Sequence, residues 1–340
     1  MPAQAVLLNT ITLPEFTDLV RREWLEMPNL VPYNAQKMYI VDDLSAHSGD
    51  SKRYNEVDTQ TFARSMPEGT NAVKASNGVG YEKDMNAARF GIEVDITFQM
   101  RRFNRYPEVV SQLTNLARYQ PQRQELDLTH RFTFATSTSY VNMDGETVNI
   151  TTGDGLALVS ATHTLAFSAT TYTNLVAGAP VFSQGALEAA ELIAKNNILN
   201  NFGDKRIMNF NAIFSGKDPN TCRTIKQLLQ STADVTQENP GVVNTFKGGY
   251  QHIELDWLDT TATGANDSTK RRYWGIAATG QGMQGFQAYL GIFEPMNLKV
   301  PADGNNGDDV HNDNWTYSSR MTRGICIPNP RGFIMSPVVS

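Results

Sequence analysis

The sequence predicts an α+β protein in which one compact block carries thin, extended appendages. Three observations lead there. After residue 180, helical and strand-like patterns alternate in short units, as in a packed α+β body. Upstream, "FGIEVDITFQM" (90–100) alternates apolar and polar residues almost without error, the pattern of a strand with one buried face. Between this run and the more polar strand pattern "YNEVDTQTFARS" (54–65) lies a 23-residue stretch (66–88) rich in Gly, Asn, Ala and Ser, a loop length that compact domains rarely carry without a functional reason.

The elements follow in order. Residues 12–27 read as an amphipathic helix: Thr12 and Glu15 have capping-box spacing, Pro14 sits in the first turn, and Phe16, Leu19, Val20, Trp24 and Met27 share one face. The run "PNLVPYNAQ" ends the pattern, so the apolar stripe must dock elsewhere, on the chain's own body or on a neighbour. The two strand patterns at 54–65 and 90–100 read as a long β-hairpin. A two-stranded ribbon is barely stable alone, so this arm becomes ordered by lying on something else. Pro107 opens a helical region in which Val109, Val110, Leu113, Leu116 and Ala117 recur at helical spacing. Pro121 predicts a kink or a break, with a second piece from 122 to 135. The two pieces together span about 40 Å at ~1.5 Å per residue.

The compact block then reads as helix, strand, helix, strand, polar turn and strand. Ser183 caps the helix in "SQGALEAAELIAKN", and "RIMNFNAIFSG" is a strand. Asp218 caps the helix in "PNTCRTIKQLLQS", with Pro219 at its first position, and "GYQHIELDWLD" and "RYWGIAA" are strands. A final strand pair, "NWTYSSRMTRGICIP" and "RGFIMSPV", closes the chain, its two prolines marking an edge or a bend.

Composition excludes several classes. With 40% hydrophobic and 19% charged residues the 340-residue chain is globular, and no apolar window spans a membrane. The N-terminus lacks a basic region followed by a long apolar one, so a cytoplasmic protein is expected. Cys222 and Cys326 lack CxxC spacing, and the histidines at 47, 130, 163, 252 and 311 are scattered. No disulfide, metal site or cofactor is therefore expected. A net charge of −6 without a basic run argues against tight, direct DNA binding.

Four stretches suggest chemistry, and each has a plainer reading. In "GDGLALVSATHTLAFSATTYTNL" (153–175), Ser160 and His163 with Asp154 resemble a hydrolase triad, but the nucleophile elbow G-x-S-x-G is missing. Gly153, Asp154 and Gly155 read better as a turn. "SNGVGYEKD" (76–84) lacks the ending of a phosphate loop and reads as a flexible hairpin tip. "DGNNGDDVHND" (303–313) has the composition but not the spacing of a calcium loop, so a solvated turn is expected. Lys74 and Lys83 on the hairpin read as solubilising charges.

The run "DGLALVSATHT", followed about 20 residues later by "SQGALEAAELIAKN", resembles the DG-x-ALFS-x-x-HP segment and the "LEAA" helix of Mu-type phage major head subunits. "NAIFSGKDPNTCRTIKQLLQS", "HIELDWLD" and "RRYWGIAA" follow in the family's order, so the resemblance covers roughly residues 90–290. Thr164 stands where the family carries proline, and the last 50 residues match no family piece. The resemblance implies a Hong Kong 97-type capsid fold. It maps to an N-terminal arm (1–53), an E-loop hairpin (54–102), a peripheral domain with the spine helix (103–184), an axial domain (185–295) and a return to the peripheral domain (296–340).

The implied function is a major capsid protein of a tailed phage, not an enzyme, forming hexamers and pentamers of an icosahedral shell around double-stranded DNA. The implied assembly contacts are Ile92, Val94, Ile96 and Phe98 on the hairpin, Phe16 and Trp24 anchoring the arm, and Arg101, Arg102 and Arg105 pairing with a neighbour's carboxylates. Some capsids of this fold join a hairpin lysine to a neighbour's asparagine, a role open to Lys74 or Lys83. Further partners implied are a portal, a maturation protease and a decoration protein. Met1 as the start predicts scaffolding from a separate protein. The expected location is the virion, after assembly in the host cytoplasm. The alternatives are an encapsulin-type nanocompartment and, outside the class, a soluble serine hydrolase.

Overall fold

The computed structural model describes residues 12–26, 31–59, 62–232, 243–280, 288–301 and 313–338. Helix α1 (Leu13–Glu26) begins where expected, and the Glu15 carboxylate accepts the Thr12 backbone N–H at 3.0 Å, half of a capping box. A 3₁₀ turn (Ala35–Met38) leads into β1 (Ile40–Asp43), followed by β2 (Ser51–Thr59), β3 (Asn77–Asn86) and β4 (Ala88–Ile96). A short helix α2 (Phe98–Arg102), capped by Thr97, precedes the long helix α3 (Tyr106–Thr133). Two small hairpins follow, β5 (Ser139–Val141) with β6 (Thr147–Asn149) and β7 (His163–Thr164) with β8 (Thr171–Tyr172).

The compact block supplies α4 (Gln184–Asn196), β9 (Ala212–Ser215), α5 (Pro219–Gln230), β10 (Gln251–Glu254) and β11 (Trp274–Ala277). Ser183 and Asp218 cap α4 and α5 as predicted, accepting from the N–H of Ala186 and of Thr221. Strands β12 (Tyr289–Lys299), β13 (Trp315–Cys326) and β14 (Phe333–Ser336) complete the chain.

The strands form two four-stranded sheets, β1-β12-β13-β4 and β10-β9-β11-β14. Helix α3 serves both. Its N-terminal half (Val109, Leu113, Leu116, Ala117) packs with Phe16, Val20 and Trp24 of α1 and with Ile96, Trp315 and Tyr317 of the first sheet. Its C-terminal end (Leu128, Phe132) enters the large core around Phe214, Trp274, Ile276 and Phe333. At 28 residues and ~1.5 Å per residue it is about 42 Å long.

Four expectations need correction. First, the helix does not break at Pro121: α3 is continuous from Tyr106 to Thr133. An interior proline costs about 3 kcal/mol, but the residues around it are held by tertiary contacts. Leu116 and Ala117 are fully buried, Gln120 donates to the Ser319 carbonyl, and the Glu125 carboxylate accepts the N–H of Ala35 at 2.8 Å and of Gln36 at 3.2 Å.

Second, 54–65 does not pair with 90–100. The hairpin is β2 with β3, and β4 pairs instead with β13. The alternation of 90–100 is real, with Ile92, Val94 and Ile96 turned inward, but the sheet it serves includes a strand more than 200 residues away. Third, "SNGVGYEKD" is not a tip but most of strand β3.

Fourth, the end of the chain is split. The final two strands do not pair with each other: β13 lies in the first sheet and β14 pairs β11 in the second. The segment "IPNPRG" between them carries the chain from one sheet to the other, its prolines supplying no N–H to a ladder.

Candidate functional site

The β2–β3 hairpin is rooted in the body by a buried ionic cluster. A register shift lies between Asn55 and Val57 of β2, where two steps on β2 meet three on β3 (Glu82 to Val79). An extra residue in one strand reverses which side chains share a face beyond it. The body-facing side then presents Glu56 and Asp58 with Gly78 and Gly80, while Val57 and Val79, opposite each other, point outward and are exposed.

The two glycines permit the close approach. A Cβ on Gly80 would lie 2.0 Å from Asn201 Nδ2, and one on Gly78 2.1 Å from the Phe167 ring. This is the physical reason for glycine in a stretch that resembles a phosphate loop.

Glu56 is the centre of the cluster. Its carboxylate accepts both oxygens' worth of bonds from Arg331 Nη1 (2.8 and 2.7 Å), one from Arg206 (2.7 Å), one from Asn329 Nδ2 (3.0 Å) and one from Asn201 Nδ2 (3.0 Å). Arg331 is fully buried, donates also to Asn201 Oδ1 at 2.8 Å, and stacks over Tyr81 at 4.3 Å. Burial pushes the Glu56 pKa up, but the charges of Arg331 and Arg206 outweigh it and hold the carboxyl below its ordinary value. Asp58 adds a bond from the Asn201 backbone N–H at 2.8 Å.

Beyond this root the described part of the loop is uncovered, with apolar side chains standing among polar ones such as Arg64, Glu68 and Lys74. Phe62, Met66 and Val73, with Val57 and Val79, are each more than half exposed. A second opening, a groove of about 840 Å³, lies between β4 and α3, lined by Phe90, Ile92, Tyr119, Arg123, Met143 and Trp257 among others.

The triad-like residues form a rivet. His163 is fully buried and stacked on Tyr172. Its Nδ1 faces Asp154 Oδ2 at 2.7 Å and its Nε2 faces Asn174 Oδ1 at 3.1 Å. The Asn174 amide donates to the carbonyls of Leu158 and Pro330, which fixes its oxygen toward the ring. Ser160 Oγ accepts instead from the Thr162 N–H. The imidazole therefore offers no nitrogen to the hydroxyl, and Ser160 has no base. The arrangement ties the loop at 153–175 to the segment before β14.

The remaining predicted residues separate into groups. Phe16, Trp24 and Ile96 are buried within the chain's own core, with Ile92 and Val94 half-buried beside them. The arm helix thus docks on its own body, chiefly through Phe16 against Trp315 and Tyr317. Phe98 is exposed. Arg101 stacks on Trp315 at 3.9 Å and donates to the Asp313 carbonyl, Arg105 reaches Glu108 of its own helix, and Arg102 is exposed. The structure does not gather the three arginines onto one carboxylate. Lys74 is exposed, whereas Lys83 is turned inward onto the Thr151 hydroxyl and carbonyl, and burial lowers its pKa to about 8. Of the acidic stretch 303–313, only Asp313 lies among the described residues, as Met27 of the first helix and Met1 do not.

Sequence reasoning missed Glu56, Asn201, Arg206, Asn329 and Arg331. They lie up to 275 residues apart, and the only local sign was a charged residue at the edge of the apolar run "RGFIM". A body with a long bridging helix and a hairpin rooted by buried charge fits a structural subunit.

Comparison with known proteins agrees. The chain belongs to the phage capsid protein family, whose model matches residues 80–336. Its fold is of the Hong Kong 97 type, similar to the capsid of Ralstonia phage GP4 (13% identity, 89% of this chain and 88% of that one, TM-score 0.50). It is equally similar to the capsid of cyanophage P-SCSP1u (14% identity, 88% of this chain and 85% of that one, TM-score 0.50). No curated protein matches the chain. Among the described residues no helix is long and apolar enough to cross a membrane.

Proposed function

We propose that this capsid protein tiles its shell by laying the β2–β3 hairpin of each subunit over a neighbour. The observation that carries the reading is the contrast along one hairpin. Its root is fixed by Glu56 and Arg331 inside the body, while Val57, Phe62, Met66, Val73 and Val79 face outward and uncovered. Burying such side chains in a contact between copies contributes about 25 cal/mol per Å² of apolar surface. The groove between β4 and α3, where Phe90, Ile92, Tyr119, Met143 and Trp257 stand among Arg89, Arg123, Asp144 and Glu146, offers a mixed surface to receive them.

In this arrangement the block built on the second sheet lies at the axis of hexamers and pentamers, and α3 with the first sheet lies at the periphery. Arg102, Arg105 and Phe98, being exposed, remain available to a neighbour, whereas Phe16, Trp24 and Ile96 support the surface from within. The closed icosahedral shell encloses double-stranded DNA without reading its sequence, consistent with a net charge of −6. A separate scaffolding protein, a portal, a maturation protease and a decoration protein are the partners such a shell would use. The protein is a component of the virion, assembled in the host cytoplasm, and the reading assigns it no enzymatic role and no cofactor.

Electron microscopy and light scattering on the chain expressed alone test the proposal. Hollow shells, capsomer rings or tubes are expected. A folded chain that stays monomeric at high concentration, with residues 62–76 protected from protease, overturns it.

A further inference from the structure

We infer that Cys222, His252 and Glu254 form a binding site for a divalent transition-metal ion of the zinc class on the compact block, apart from the β2–β3 hairpin. The sequence hides the site, because the cysteine lies 30 residues from the histidine. The fold unites them. Cys222 occupies the first turn of α5 on its buried side, and His252 and Glu254, two residues apart, share one face of edge strand β10. One ligand atom from each residue lies within 4.8 Å of the other two. Tetrahedral zinc needs ligand atoms about 3.3–3.6 Å apart, so movements of an ångström or less would close the site.

The hydrogen bonds orient the imidazole for this role. With the Ser215 hydroxyl proton on the Gly216 carbonyl (3.0 Å), which the Cys222 thiol also reaches at 3.2 Å, the Ser215 oxygen is left to accept from His252 Nε2 across 2.9 Å, and this is the tautomer we assign. A neutral ring held in that tautomer carries its lone pair on Nδ1, and Nδ1 faces Glu254 Oε1 at 3.8 Å. Two electron-rich atoms face each other here, and the cation that now neutralises Glu254 Oε1 is the Lys226 ammonium at 2.6 Å. A ring N–H fixed by a second acceptor while the other nitrogen is left to coordinate is how metal-binding histidines are held. The His252 side chain is 9% exposed, and burial holds its pKa below the ordinary imidazole value.

The competing charges are those of the surrounding lysines and arginine. Lys226 Nζ contacts Glu254 Oε1 at 2.6 Å, Lys217 pairs with Asp256, and Arg223 reaches Asn220. All three border the same open pocket of about 630 Å³. An incoming ion would displace the Lys226 ammonium, which is half exposed, and release the Cys222 thiol proton to solvent. Three protein ligands leave a fourth position to water.

The test is dialysis of the full chain against Zn²⁺ and then metal-free buffer, with zinc counted by mass spectrometry and Co²⁺ loaded in parallel. One ion per chain and a thiolate-to-cobalt charge-transfer band are expected. Cys222→Ser should abolish the band, Glu254→Gln should weaken zinc binding about tenfold, and Lys226→Ala should strengthen it. Thermal melting of the metal-free variants separates loss of ligand from loss of fold. Failure of the folded wild-type chain to retain zinc, or a cobalt band that survives Cys222→Ser, overturns the assignment.

Discussion

Replacing Glu56 by glutamine keeps the shape of the side chain and removes its charge. The Arg331 guanidinium, with no solvent exposure, would then face an amide where it had faced a carboxylate bound through both oxygens. Removing one partner of a buried pair costs about 3–5 kcal/mol, because the other charge is stranded away from water. Glutamine keeps one acceptor oxygen, so we expect the lower end, about 3 kcal/mol. Arg206→Met provides the internal comparison. Arg206, with 17% of its side chain exposed, reaches one Glu56 oxygen at 2.7 Å, and its loss leaves that carboxylate still paired with Arg331, so it should cost less, about 1.5 kcal/mol. The double change Glu56→Gln with Arg331→Met should recover much of the loss, since an apolar pair strands no charge.

Urea unfolding of the unassembled subunit, followed by tryptophan fluorescence, measures each value, with an unchanged slope as the check that the denatured state is the same. The pH dependence has a defined sign. Glu56 is held below its ordinary value when folded, so its contribution is fully present above the unfolded pKa near 4.5 and is lost as pH falls through the lower folded one. Wild type and Glu56→Gln should therefore converge in acid. If Glu56→Gln lies within about 0.5 kcal/mol of wild type at neutral pH, or matches Arg206→Met, the cluster does not root the hairpin and the reasoning fails.

Four further outcomes are expected. Phe62→Ser with Met66→Ser should leave the melting temperature of the monomer unchanged while reducing the yield of shells or capsomers in sedimentation, because both side chains are exposed in the isolated chain. Gly275→Ala should destabilise by about 2 kcal/mol or more in urea titration, since its Cβ would meet the Ile334 carbonyl oxygen at 2.4 Å and that backbone cannot yield. Ser160→Ala should alter neither stability beyond about 0.5 kcal/mol nor any hydrolytic background measured with a generic ester, because no base addresses the hydroxyl. Lys83→Met should be more stable than wild type at neutral pH. The folded lysine, with its pKa lowered to about 8, binds its proton less tightly than the unfolded chain, so its burial costs stability that returns only as pH rises from 8 toward 10.5. A variant that keeps this alkaline gain would show that another group produces it.

Local signals were readable wherever a residue acts on its own neighbours in sequence. The caps Thr12, Ser183 and Asp218 mark helices that form where the chain places them. The alternation of Ile92, Val94 and Ile96 marks a strand, and the order of motifs between 90 and 290 points to the capsid fold. Pairing was a different matter. A strand's alternation says which face is buried but not which strand covers it, so β4 was assigned to the hairpin when its partner is β13. Propensity predicts a kink or a break in α3 at Pro121, yet the helix continues and contacts from Ser319, Ala35 and Gln36 hold the residues around it. The Glu56 cluster and the meeting of Cys222 with His252 and Glu254 join residues that no spacing links. By itself the sequence determined the elements and the family, because those depend on interactions over a few residues. Only the tertiary structure decided which strands pair, how the hairpin is rooted and which of its side chains face outward, because burial and charge pairing depend on residues brought together from distant parts of the chain.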